Sequence, residues 1–125
     1  MVFAGGRPAL TAILLFLRQD ITVKIAEAEY AGFYGILDKL KRRTEIVESN
    51  ESNNFRPKNE AYMGQNKMCI FSNPCNPTGI TKVGADLDDF VQRASQPGHG
   101  ALIDEAYEMF HDKPESALRY VKNID

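Results

Sequence analysis

Short apolar runs alternate along the chain with stretches in which apolar residues recur at helical spacing. The short runs predict four strands, at residues 22–26, 44–48, 67–71 and 101–103. The helical patterns lie around residues 9–17, 33–43 and 84–95. Strands that alternate with helices in this way are typical of βαβ units, so the sequence predicts an α/β fold with parallel strands.

The first predicted helix has an unusual pattern, because residues 9–17 are apolar on nearly every side. Such a helix is normally buried, and we expect it to lie between two layers of the fold. Residues 1–4 look like the end of a strand that leads into it. The charges near the end of the second helix, Lys41, Arg42 and Arg43, are expected to face solvent and to offset the helix dipole.

Two segments carry weaker patterns. Residues 49–66 are polar and rich in Ser and Asn, which is typical of a surface connection, and residues 58–63 suit one or two helical turns. The tail at residues 114–125 has apolar residues at helical spacing. We therefore expect a surface loop over residues 49–66 and a short helix in the tail.

Composition excludes several classes of protein. The 125 residues suffice for one domain or part of a larger one, and 15 Lys and Arg against 17 Asp and Glu argue against a nucleic-acid partner. The longest apolar run is too short to cross a membrane, and no signal peptide is evident. Cys69 and Cys75 stand in no metal-binding spacing. We predict reduced thiols, no metal site, no membrane partner and a cytoplasmic location.

Residues 73–79, with the sequence NPCNPTG, follow the third predicted strand. Each proline excludes the preceding asparagine from the α region, and Gly79 permits a sharp turn. We expect a stiff loop that holds the Asn76 amide at the carboxyl end of a strand. Ligands bind at such strand ends in open α/β sheets, although a plain Asn-Pro turn is the alternative.

Two further strand ends carry residues suited to a ligand. Gly6 and Arg7 lie in a glycine turn that leads into a helix, where free N–H groups attract an anion. Asp104 follows an apolar strand, and a carboxylate there needs a cationic partner or several donors. Tyr107 can donate a hydrogen bond from its phenol beside Asn76. Because the ends of parallel strands share one edge, we expect these residues to converge on one crevice.

Tyr30 follows another predicted strand, where its ring can stack on a planar ligand, and a partly buried surface tyrosine is the alternative. A phosphate turn, an acid for a ring nitrogen, donors for a ring oxygen and a stacking aromatic together describe a site for pyridoxal phosphate. The chain here resembles the class I/II aminotransferases of the fold-type I pyridoxal-phosphate enzymes. The matching stretches are residues 5–10 (GGRPAL), 29–33 (EYAGF), 73–79 and 103–110 (IDEAYEMF).

This resemblance implies a set of cofactor-binding residues: Gly6, Arg7, Tyr30, Asn76, Asp104 and Tyr107. Gly6 and Arg7 would hold the phosphate through their backbone N–H groups, and Tyr30 would stack on the ring. Two positions depart from the family pattern. Ala31 stands where a proline is common, and Arg7 stands where a small hydroxyl residue is usual.

The roles implied at the other end of the cofactor concern the ring itself. Asn76, assisted by Tyr107, would hydrogen-bond the phenolic oxygen, and Asp104 would pair with the pyridinium nitrogen. The family also binds its cofactor through a Schiff-base lysine that lies well beyond the Asp-x-x-Tyr step. We expect no catalytic residue within residues 1–125, because Lys113 and Lys122 are too close to Tyr107 to be that lysine.

We therefore interpret residues 1–125 as a partial large domain that binds pyridoxal phosphate. The N-terminal arm, the segment with the Schiff-base lysine and the C-terminal small domain are expected to lie outside it. The implied fold is an incomplete three-layer αβα sandwich, in which two strands encoded later separate the first strand from the others. An isolated fragment of this kind should expose an apolar sheet edge and be inactive. We expect it to be marginally stable, to associate or to need the rest of its parent.

The implied activity of the parent protein is transfer of an amino group between an amino acid and a 2-oxo acid. The resemblance also implies a homodimer that acts in amino acid metabolism. Another fold-type I enzyme, such as a carbon–sulfur lyase, a decarboxylase or a synthase, is an alternative that these motifs do not separate. A non-catalytic phosphate- or nucleotide-binding α/β module that uses Gly5 and Gly6 is an alternative of a different class.

Overall fold

A computed structural model describes residues 2–121 of the chain. Its helices and strands, in chain order, are α1 (Gly6–Phe16), β1 (Thr22–Ala26), α2 (Ala31–Lys39), β2 (Thr44–Val47), β3 (Lys67–Ser72), α3 (Gly84–Ala94) and β4 (Ala101–Asp104). Short 3-10 turns lie at Glu51–Asn53, Asn59–Tyr62, Glu108–Phe110 and Ala117–Tyr120. The four predicted strands and three predicted helices are confirmed, with their ends displaced by a few residues. Residues 122–125 of the predicted helical tail lie outside the described residues.

The strands form one parallel sheet in the order β2-β1-β3-β4. β3 pairs on one side with β1, where Ile70 lies opposite Ile25, and on the other side with β4, where Ser72 lies opposite Asp104. The predicted α/β fold with parallel strands is confirmed. Because β1, β3 and β4 run in the same direction, their carboxyl ends meet at one edge of the sheet.

Side chains that alternate along the central strands give the sheet two apolar faces. Ile25 and Ile70 belong to a core shared with α1 and α2. Cys69 and Phe71 point to the opposite face, where the Phe71 and Phe90 ring centroids are 4.7 Å apart. Period-2 alternation thus produces three layers, with α1 and α2 on one face of the sheet and α3 on the other.

Helix α1 is less buried than its sequence predicts. Leu10 and Leu14 pack into the core, but Leu15 is 60% exposed and Phe16 is 91% exposed. The side of α1 that carries these two residues faces no other layer within residues 2–121, so the expectation of burial between two layers is wrong here. Residues 2–4 also form no strand, because they have no neighbouring strand to pair with, and Met1 lies outside the described residues.

Arg42 is buried, although the sequence places it on a solvent-exposed face. Its guanidinium donates hydrogen bonds to the carbonyl oxygens of Leu17 (3.0 Å), Arg18 (2.7 Å) and Ile21 (3.2 Å). These carbonyls lie at and just beyond the C-terminal end of α1, where a cation is favourable. Arg42 therefore joins the end of α2 to the end of α1.

The polar connection between β2 and β3 is partly built into the core. The 3-10 turn Asn59–Tyr62 falls within residues 58–63, where a helical turn is predicted. Tyr62 is buried among the aromatic residues on the α3 face, and Lys24 donates from Nζ to the carbonyls of Ala61 (2.7 Å) and Met63 (3.0 Å).

Within residues 2–121 no helix combines the length and apolar character needed to cross a lipid bilayer.

The loop after β3 is fixed by the side chain of Asn73, which is 1% exposed. Asn73 Oδ1 accepts from the Lys82 N–H at 2.7 Å, and Asn73 Nδ2 donates to the Lys82 carbonyl at 3.0 Å. Gly79 has φ +71°, which confirms the predicted sharp turn, and its N–H donates to the Cys75 carbonyl at 2.7 Å. The Asn73-Pro74 and Asn76-Pro77 peptide bonds are both cis.

Asn73→Ala is expected to destabilise the protein by about 2–4 kcal/mol, because it leaves the N–H and the carbonyl of Lys82 without their partners. Asn73→Asp keeps the acceptor but buries a charge and sets a carboxylate oxygen against the Lys82 carbonyl oxygen, so it should destabilise the protein at least as much near neutral pH. Urea unfolding of the wild type and both variants measures these differences. Equal stability of Asn73→Ala and the wild type would contradict this account of the loop.

The 125-residue chain is expected to self-associate, because α1 exposes apolar residues and β4 lies at the edge of the sheet within the described chain. Phe16→Lys should weaken this association, whereas Asp38→Lys, at another exposed helix position, should leave it unchanged. Analytical ultracentrifugation over a range of concentrations measures the effect. A monomeric chain that unfolds cooperatively would refute the expectation.

Candidate functional site

One pocket of about 180 Å³ lies at the carboxyl ends of the strands. The residues that line it are Gly6, Arg7, Tyr30, Ser72, Asn76, Asp104, Ala106 and Tyr107. They come from the start of α1, the ends of β3 and β4, and the loops after β1, β3 and β4. The structure thus brings together all six residues that the sequence singles out, and it adds Ser72 and Ala106.

The N-terminal end of α1 forms one side of this pocket. Gly5 precedes the helix with φ +122°, a conformation that glycine adopts without strain. The first turn has no side-chain cap and no acidic residue, so the N–H groups of Gly6 and Arg7 remain open to a ligand. A β-carbon on Gly6 would lie 3.9 Å from Asp104 Oδ2, so the helix end and this carboxylate are neighbours. Open donors and the helix dipole suit this end of α1 to an anion.

Only one oxygen of the Asp104 carboxylate accepts a hydrogen bond within residues 2–121. Oδ1 accepts from the N–H of Ala106 at 2.9 Å, and the Asp104 carbonyl accepts from the N–H of Asn73 at 2.8 Å. Oδ2 accepts no hydrogen bond from any residue between 2 and 121. This second oxygen is therefore available to a cationic or N–H group in the pocket.

Asn76 and Tyr107 present polar groups that the described part of the chain leaves unpaired. The backbone N–H of Asn76 donates to Ser72 Oγ at 3.0 Å, while its side-chain amide bonds to nothing within residues 2–121. Tyr107 is 48% exposed. Its phenol likewise has no hydrogen-bond partner within residues 2–121. Both groups can donate to the same ligand oxygen.

Tyr30 lies at the N-cap position of α2. Its ring packs edge-to-face on Phe33, with the centroids 5.4 Å apart and the planes at 87°. A β-carbon at Gly32 would lie only 2.3 Å from Tyr30 Cε1. Glycine at position 32 therefore allows the Tyr30 ring to fold back over the start of the helix.

Glu29 and Ser72 form a buried connection beside the pocket that sequence reasoning missed. Glu29 Oε2 accepts from the Ser72 N–H at 3.0 Å, and Oε1 accepts from the Tyr30 N–H at 2.8 Å and from Ser72 Oγ. Burial raises the pKa of Glu29, the Ser72 and Tyr30 hydrogen bonds oppose that rise, and the charge of Asp104 adds to it. An acid after a strand is usually exposed, so only its place next to Tyr30 signals a role.

The other reactive side chains do not extend this site. Cys69 and Cys75 are free cysteines, and burial raises the pKa of Cys75 and brings that of Cys69 to about 12. Both therefore favour the thiol form, which is a poor nucleophile. Lys113 does not line the pocket, and Lys122 lies outside the described residues.

Comparison with known proteins gives consistent results. Histidinol-phosphate aminotransferase of Akkermansia muciniphila is 36% identical over 64 residues, which are 50% of this chain and 17% of that protein. An aromatic aminotransferase of Pyrococcus horikoshii matches with a TM-score of 0.79 and 22% identity, over 98% of this chain and 35% of the other. A PLP-bound C–S lyase of Staphylococcus hominis matches with a TM-score of 0.68 and 23% identity, over 79% and 27% of the two chains.

The two solved structures share the fold of this chain, and at these identities they support the fold alone. The chain spans 35% or less of the length of these relatives. A family model described as aminotransferase class I and II matches residues 2–124, nearly the whole sequence. The chain therefore belongs to the class I and II aminotransferase family.

Proposed function

We propose that residues 1–125 are the central part of the cofactor-binding domain of a pyridoxal-phosphate-dependent aminotransferase. Membership of the aminotransferase family supports the class of enzyme. The observation that carries the proposal is the single pocket lined by all six residues of the expected cofactor site. The full-length protein would transfer an amino group between an amino acid and a 2-oxo acid, as a cytoplasmic homodimer. It would supply the Schiff-base lysine and the small domain from outside residues 1–125.

The chemistry of the pocket fits the groups of pyridoxal phosphate. The open N–H groups at the start of α1 suit the phosphate, and Gly6 leaves space beside Asp104 that a side chain would fill. The free Oδ2 of Asp104 suits a protonated ring nitrogen. The amide of Asn76 and the phenol of Tyr107 suit the ring oxygen.

When bound, pyridoxal phosphate would supply an electron-withdrawing ring that stabilises negative charge on a substrate carbon atom. Asp104 would hold a proton on the ring nitrogen, because a carboxylate stabilises the adjacent positive charge. Asn76 and Tyr107 would fix the orientation of the ring edge. Tyr30 would cover the ring and exclude water from it. The residues of this chain would therefore position and polarise the cofactor.

A carbon–sulfur lyase is a second candidate, because the PLP-bound C–S lyase of Staphylococcus hominis has the same fold over 79% of this chain. The pocket residues serve the ring and the phosphate, which both kinds of enzyme need. Amino-group transfer to a 2-oxo acid by the full-length protein supports the first candidate, whereas thiol release from a sulfur amino acid supports the second. A phosphate-binding module would use only the start of α1 and would give Asp104 no role.

Titration of the full-length protein with pyridoxal phosphate is expected to give a saturable change in visible absorbance. Asp104→Ala and Asn76→Ala should each weaken binding by about ten- to a hundredfold, because each removes a hydrogen bond to a charged or strongly polar group. Asp112→Ala, at an exposed position outside the pocket, is the control and should bind as the wild type does. Absence of a saturable change in the wild type would contradict the proposal.

Gly32→Ala is expected to displace the Tyr30 ring and to weaken pyridoxal phosphate binding about two- to tenfold, the range that aromatic stacking contributes. Gly35→Ala is a matched control in the same helix, because nothing lies within 4 Å of a β-carbon there. Fluorine NMR of fluorotyrosine-labelled protein reports the displacement of Tyr30, and dialysis gives the affinity. Equal affinity of the two variants would contradict a stacking role for Tyr30.

A further inference from the structure

The carboxylate of Glu29 lies between two loops that supply residues to the pocket, yet Glu29 does not line the pocket itself. We propose that Glu29 is a positioning residue, which ties the loop after β1 to the end of β3 and thereby places Tyr30 and Asn76 around the bound ring. The inference rests on the proposed function where it concerns pyridoxal phosphate. The connection between the two loops is independent of any ligand.

The hydrogen bonds form a short relay across the pocket edge. Glu29 accepts from the backbone N–H of its neighbour Tyr30 and from both the N–H and the hydroxyl of Ser72, which is 43 positions away. Ser72 Oγ in turn accepts from the backbone N–H of Asn76 at 3.0 Å. One carboxylate therefore determines the place of the stacking residue directly and that of the amide residue through one hydroxyl.

The surroundings of Glu29 indicate that it serves this connection and not an ion pair. Glu29 is 6% exposed, and no Lys or Arg within residues 2–121 forms a salt bridge with it. The charge of Asp104 raises the pKa of Glu29, and Glu29 in turn raises the pKa of Cys75, Tyr34 and Tyr62. Lys82 and Arg56 line a neighbouring cavity with Glu29 but form no ion pair with it. A carboxylate buried without a cation is costly unless it is well hydrogen-bonded. Its neutral donors, Ser72 and Tyr30, provide that compensation.

Both oxygens of Glu29 accept from backbone N–H groups, which makes glutamine a sharp probe. In Glu29→Gln one oxygen becomes an NH₂ group, so either the Ser72 N–H or the Tyr30 N–H must face another donor. The shape of the side chain stays the same. The substitution therefore removes half of the connection without opening a cavity.

The test uses the full-length protein with three variants: Glu29→Gln, Ser72→Ala and Glu27→Gln. Glu27 is exposed in the same loop, and its side chain bonds to nothing within residues 2–121, so it is the matched control. Amide hydrogen exchange is measured without cofactor in peptides that cover residues 29–34 and 72–80. Equilibrium dialysis gives the affinity for pyridoxal phosphate.

Glu29→Gln is expected to accelerate exchange in both peptides and to weaken pyridoxal phosphate binding about tenfold. Ser72→Ala keeps the backbone bond to Glu29, so it should accelerate exchange mainly in residues 72–80 and weaken binding less. Glu27→Gln should match the wild type in both measurements. This pattern supports the positioning role.

Unchanged exchange in both peptides of Glu29→Gln would overturn the proposal, and so would acceleration spread evenly over the whole chain, which indicates general loss of stability. If the wild type itself binds no pyridoxal phosphate, the proposed function fails. The exchange data then decide the connection alone: local acceleration in both loops supports it, and unchanged rates overturn it.

Discussion

The parallel register of β3 with its two neighbours is the constraint on which the pocket depends. Ser72 lies opposite Asp104, and the next residue, Asn73, donates from its N–H to the Asp104 carbonyl at 2.8 Å. A shift of one residue would turn every side chain of the strand to the other face of the sheet. Packing on both faces holds this register, because a shift would move Ile70 out of the core under α1 and α2 and would move Cys69 and Phe71 out of the core under α3. The core and the pocket are therefore specified by the same strand pairing.

Features that depend on neighbours in the sequence could be predicted well. The strands follow from β-branched and apolar runs, and the turn at Gly79 follows from the freedom of glycine to adopt positive φ. The convergence of Gly6, Asn76 and Asp104 could also be foreseen, because the ends of parallel strands share an edge. The family model matches residues 2–124, and this range includes all the stretches that suggested the resemblance.

Features that depend on tertiary partners could not be predicted in this way. The apolar pattern of α1 indicates which side chains favour burial. Whether Phe16 is actually covered depends on which other layers pack against the helix. The charge of Arg42 suggested a solvated side chain, whereas carbonyls from the end of α1 receive it in the folded chain. No pattern in the sequence marks Glu29 as buried, because its hydrogen-bond partner Ser72 lies 43 positions away.

Arg42 has a consequence for the pocket although it lies far from it. α1 and α2 supply Gly6 and Tyr30 from their N-terminal ends, while Arg42 binds the carbonyls at the other end of α1, roughly 16 Å away along the helix. Arg42 thus joins the two helices at the ends that lie away from the pocket. A slight change of their crossing angle would widen or narrow the gap between the anion-binding turn and the aromatic ring. The dimensions of the pocket therefore depend partly on the hydrogen bonds that Arg42 makes on the opposite side of the fold.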